Sequence, residues 1–160
     1  MMSFNFKKTA AVLSVLLLFS SACAKKPEKA NSPSIKIGIE KRGTENIYIA
    51  DFSCTLKNEN DSTAFLNAAG TINIKDDSGN ILLPVPFTVK TILPFEAGMV
   101  LQRIELKETE AAPLLQFLDM SAEKLASGED TGARPIDDKN IELSGLKLEK
   151  KEIIDLLKGK

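Results

Sequence analysis

Between Tyr48 and Lys57 the chain alternates, with Ile49 the one exception. Tyr48, Ala50, Phe52, Cys54 and Leu56 fall on one phase, and Asp51, Ser53, Thr55 and Lys57 on the other. A period of two sends successive side chains to opposite faces of a strand, so this stretch fits only a sheet with one face buried and one wet. Cys54 falls on the apolar phase, where a core thiol is the expectation rather than a reactive one.

Similar alternation recurs on both sides. Ile35, Ile37 and Ile39 precede it, and Ala68, Gly70, Ile72 and Ile74 follow. Residues 81–91 carry Pro84 and Pro86, which cannot donate ladder hydrogen bonds and so place that strand at a sheet edge. Val100, Ile104 and Leu106 face inward against Arg103, Glu105 and Lys107. Ile141 and Leu143 resume the pattern, and Gly145 marks a bulge because Leu146 and Leu148 change phase. Polar turns at 42–46, 57–63, 76–80 and 93–98 separate these runs, with Gly79 available for a positive φ.

One interval follows a different period. Leu114, Phe117, Leu118, Ser121, Ala122 and Leu125 recur at helical spacing, with Pro113 near the start and Gly128 as the stop. Residues 129–139 read as a charged loop, and Ile153, Ile154, Leu156 and Leu157 fit either a short strand or a helical turn. The whole predicts a mostly β domain, an immunoglobulin-like antiparallel β-sandwich with one helical crossover in the C-terminal third.

Ahead of this domain stands an address. Lys7 and Lys8 precede an uncharged apolar run from Thr9 to Phe19, followed by Ser20-Ser21-Ala22-Cys23. The run is shorter than the roughly 20 residues a spanning helix needs, and its form is that of a secretory signal peptide over 1–22. Ser-Ser-Ala-Cys resembles the lipobox of bacterial lipoproteins, with Ser20 where the usual pattern has leucine. That resemblance makes Cys23 the lipidation site and the first mature residue. Cleavage after Ala24 by ordinary signal peptidase is the competing expectation, since Ala22-Cys23-Ala24 also fits the small-x-small rule. Residues 23–34 are expected to form the lipidated cysteine and a flexible tether, and 35–160 the sandwich.

Composition narrows the role. The net charge is −1, and removing residues 1–22 takes away two lysines and no acid, so nucleic acid is not an expected partner. The chain has no histidine, which removes the commonest general base and metal ligand. With Cys23 acylated, Cys54 has no disulfide partner. Asp76 and Asp77 are adjacent acids in a turn without calcium-loop spacing, and an enzyme working with carboxylates alone would have to draw on such groups. No catalytic residue, cofactor or metal is expected.

In the order of its elements the domain resembles the late-embryogenesis-abundant type 2 family, the water-stress and hypersensitive-response domain. The resemblance rests on several places: the strand running into Leu56-Lys57-Asn58-Glu59-Asn60, where the family has Asn-Pro-Asn, and the 70–74 strand with its 76–79 turn. The 93–98 turn, the Leu114-Leu115-Gln116-Phe117-Leu118 helix and the Ser144-Gly145-Leu146-Lys147-Leu148 strand also match. It implies a non-enzymatic domain tied to stress or desiccation tolerance, or to apolar ligands. The leading expectation is a non-enzymatic envelope lipoprotein, membrane-anchored by lipid at the outer membrane or on the periplasmic or cell-surface face. Its sandwich would bind a protein or other envelope component.

Overall fold

The computed structural model describes residues 25–27 and 30–158. Among these described residues seven strands and three helices follow in order: β1 (Ala30–Arg42), β2 (Glu45–Lys57), β3 (Thr63–Lys75), β4 (Ile81–Ile92), β5 (Ala97–Leu106), α1 (Glu108–Phe117), α2 (Ala122–Ser127), β6 (Arg134–Pro135), β7 (Ile141–Glu152) and α3 (Ile153–Lys158), with a 3₁₀ turn at Asp138–Asn140. One sheet has the order β5-β2-β1-β6 and the other β4-β3-β7. All pairings are antiparallel. The domain is a two-sheet antiparallel β-sandwich with its helices late in the chain.

The alternating phases become the core. Ile35, Ile37, Phe52 and Leu56 from the first sheet meet Phe65, Ile72, Ile74, Val85 and Ile92 from the second, all nearly inaccessible to solvent. Burying each such side chain stabilises the fold by about 1.5–3 kcal/mol. Pro84 and Pro86 lie on β4, an edge strand, where their missing N–H groups break no ladder. Gly145 has φ 60, and between the pairs Ala69–Lys147 and Thr71–Ser144 β7 spends one more residue than β3, which is the expected bulge. Gly70 lies against this bulge. A Cβ there would stand 3.0 Å from the Ser144 carbonyl oxygen and 3.1 Å from the Phe87 ring.

The single helix expected over 114–125 is two. Asp119 adopts φ 53, and the Met120 N–H donates back to the Leu115 carbonyl at 2.9 Å, closing α1 in a left-handed turn. Ser121 then caps α2 by accepting the Lys124 N–H at 3.3 Å, and Gly128, at φ 77, ends it. Pro113 stands in the second turn of α1 rather than the first. The pair of helices joins β5, at one edge of the four-stranded sheet, to β6 at the other. Leu114 of α1 and Leu125 of α2 are buried in the core.

The flexible tether expected up to residue 34 is corrected as well. Ala30 is buried opposite Leu56, and Asn31 pairs with Thr55, so 30–34 already belong to β1 around a kink at Ser32, φ 51. The physical reason lies in β2. Its last four residues need a hydrogen-bonding neighbour on the side away from β5, and the polar composition of 30–34 does not prevent backbone pairing. Within the expected 129–139 loop, Arg134–Pro135 bridges Ser34–Ile35. Residues 153–158 form α3, the helical alternative.

Candidate functional site

The chemically distinctive side chains are used structurally. Cys54 points inward from β2 and is 3% exposed, and burial pushes its thiol up to about 12, so it is protonated and shielded at neutral pH. Asp76 accepts N–H groups from Ser78 at 2.9 Å and from the Asn80 backbone and side chain at 2.8 Å each. These bonds, those from Asn80 foremost, hold its carboxyl below the usual range. Asp77 is held low by hydrogen bonds from Lys139, at 2.9 Å, and Asn140, at 3.2 Å. Both acids are therefore fixed as carboxylates, the wrong state for a proton donor near neutrality. Among the described residues no three His, Cys, Asp or Glu side chains gather in a metal-binding group. Cys23, the expected lipidation site, lies outside the described residues.

Two depressions are lined by described residues. The smaller, about 270 Å³, lies between the end of α1 and the 134–140 segment. Its cations are already matched, Arg134 with Asp130 at 2.7 Å and Lys139 with Asp77 at 2.9 Å. The larger, about 390 Å³, lies on the outer face of the four-stranded sheet. Register builds it: Ser53 stands opposite Ser34 on β1 and Leu101 on β5, while Asp51 stands opposite Lys36 and Arg103. The Ser34 and Ser53 hydroxyls share a hydrogen bond of 2.8 Å. Arg103 reaches Glu40 at 3.0 Å and Asp51 at 3.8 Å, and Arg42 forks onto Glu105 at 2.6 and 3.0 Å. These cross-strand pairs are exposed and set the shape of the face more than its stability.

Beside the hydroxyl pair, Met99 and Leu101 stand two residues apart on the same outward phase of β5, 65% and 64% exposed. The surface therefore combines two large apolar groups, two hydroxyls and an arginine in an open, shallow relief. That chemistry suits docking of a chain or a flat surface.

The chain matches no family model, no curated protein and no solved structure. The site therefore stands on its own geometry. Reading β5 by its inward phase alone passes over Met99 and Leu101. The legible signal was that residues 99–101 are apolar on both phases, whereas a strand with one wet face should alternate.

Proposed function

We propose that this protein is a non-enzymatic envelope lipoprotein, anchored by lipid at Cys23, whose sandwich binds a protein or another envelope component through the outer face of β5, β2 and β1. The observation that carries the binding face is the exposed pair Met99 and Leu101 over the Ser34–Ser53 hydroxyls. Large apolar side chains placed together on a sheet surface are the material of interface centres, with the surrounding polar groups forming a rim. Support for the anchor comes from the apolar run and Ser20-Ser21-Ala22-Cys23.

A photo-crosslinking residue at Leu101, in cells of the native host, tests the face. A discrete adduct at 101, absent when the probe sits at Lys147 on the other sheet, is the expected result. No adduct, from protein shown by intact mass to be acylated, overturns the binding face. A mature chain beginning at Lys25 without acyl groups overturns the anchor. The same apolar pair would serve the runner-up reading, a stress-protection or apolar-ligand domain like the late-embryogenesis-abundant type 2 proteins. A lipid adduct of the probe at Leu101, in place of a protein adduct, would decide for it.

A further inference from the structure

We infer that the end of the sandwich reached by the chain at Lys25 is a bilayer-docking face, with Leu93, Phe95, Ile154 and Leu157 seated in the interfacial layer of a lipid membrane. The inference rests on the lipid anchor proposed above and adds an orientation that the anchor alone does not give.

Register brings these groups together. Ala30 pairs with Leu56, Lys57 with Ala97, Phe65 with Ile92 and Thr63 with Glu152. The start of β1, the β2–β3 loop, the β4–β5 turn and α3 therefore all lie at one end. Four exposed large apolar side chains collect there: Leu93 and Phe95 in the turn, and Ile154 and Leu157 on α3. Ile154 and Leu157 are three residues apart and so share a helix side. β4 and β7 flank β3 in their sheet, which sets the two apolar groups roughly 10 Å apart across the end.

The turn itself is unusual. The Glu96 N–H donates to the Leu93 carbonyl at 3.1 Å, Pro94 takes the second position, and Phe95 takes the third with φ 59. Glycine is the residue that such a position favours, and a bulky side chain there is strained. Phe95 is nonetheless 70% exposed, so packing inside the chain does not offset the strain. An aromatic group held outward at a conformational cost is placed for something outside the domain.

The path of the chain identifies that occupant. The Lys25 N–H donates to Asn60 Oδ1 at 2.9 Å, and Asn60 Nδ2 donates to the Lys25 carbonyl at 3.0 Å. Two residues back along the sequence is Cys23, and two extended residues span at most about 7 Å. Acyl chains on Cys23 thus bring the bilayer to this end of the sandwich, where the local concentration of lipid makes even weak insertion effective. Charge attraction from Lys57 and Lys158 is not the driver, because acids match them: Lys57 with Glu59 at 3.6 Å and Lys158 with Asp155 at 3.9 Å. Apolar contact is.

The chain has no tryptophan, so Phe95→Trp introduces a single tryptophan, excited selectively over Tyr48 at the red edge. Ser78→Trp, in the turn at the far end, is the control, and Leu157→Trp reports from α3 should the first variant fold poorly. Protein from the membrane fraction, its acylation read by intact mass, is reconstituted into neutral phosphatidylcholine vesicles with brominated acyl chains. Severalfold quenching of Phe95→Trp or Leu157→Trp, unchanged in high salt and absent for Ser78→Trp, is expected. Acylated protein with both reporters unquenched overturns the docking face and leaves the anchor standing. If the mass shows no acyl groups, the anchor falls, and the same variants added to preformed vesicles decide. Quenching then supports the face by itself, and its absence overturns it.

Discussion

Asn60 and Lys25 clasp each other side chain to backbone, one hydrogen bond in each direction, at 2.9 and 3.0 Å. The clasp continues inward. Asn60 Nδ2 also donates to Asn58 Oδ1 at 2.7 Å, and the fully buried Asn58 donates its own amide to the carbonyls of Thr63, at 2.8 Å, and Ile92, at 3.0 Å. The Asn58 N–H donates to the Glu96 carbonyl at 2.9 Å. One loop thus ties the incoming chain to the edge where β4 turns into β5.

The two asparagines should separate in effect. Asn58→Ala leaves two buried carbonyls without that donor and is expected to cost about 2–3 kcal/mol in urea unfolding. Asn60→Ala removes two exposed bonds to Lys25 and one part-buried bond to Asn58 Oδ1, which keeps the Asn60 backbone N–H at 3.1 Å, so global stability should change by less than about 1 kcal/mol while trypsin cuts faster after Lys25. Equal losses for both substitutions would contradict this layout.

Phe95→Gly is expected to stabilise the fold by about 1 kcal/mol, because it releases an aromatic residue from a left-handed backbone position and removes little buried surface. Glycine's greater freedom in the unfolded chain works against this gain and keeps it small. Thermal and urea midpoints measure it. A clear loss of stability would mean that the ring packs against its own domain.

Burial of Cys54 gives a pH dependence of definite sign. An unfolded thiol releases its proton near its ordinary value of 9.0, whereas the folded one holds it to about 12. Above pH 9 the folded state therefore binds more protons than the unfolded state, and stability declines between pH 9 and 12. Cys54→Ala should flatten that decline relative to wild type. In acylated protein, a thiol reagent at pH 8 should label nothing until denaturant is added.

Gly98→Ala is expected to destabilise by about 1–3 kcal/mol through overpacking. A Cβ at that position would stand 2.7 Å from Ile92 Cγ1 and 2.8 Å from Val89 Cγ1, where β5 passes close to β4. Making room with Gly98→Ala/Ile92→Val, which removes the Ile92 Cδ1 atom 2.8 Å away, should recover part of the loss.

These positions also show what the sequence made legible. The face of β2 from Tyr48 to Leu56 was plain because alternation over nine residues has one structural meaning. The break between α1 and α2 was hidden because Leu118, Ser121, Ala122 and Leu125 stay in helical phase across it, and periodicity does not register the backbone reversal at Asp119. The start of β1 was hidden because Ala30-Asn31-Ser32-Pro33-Ser34 has the composition of a linker, and its pairing depends on a partner strand more than twenty residues away. The grouping of Phe95 with Leu157 was out of reach for the same reason. They are sixty-two positions apart and meet at one end only through the order of strands.

The 13-residue length of β2 sets a distance. At about 3.3 Å per residue the two ends of the sandwich lie roughly 40 Å apart, close to the full thickness of a bilayer with its headgroups. The hairpin turns at Gly43 and Gly79 therefore lie at that stand-off from Lys25. With the foot docked as proposed, any molecule met at the tip is met well clear of the bilayer.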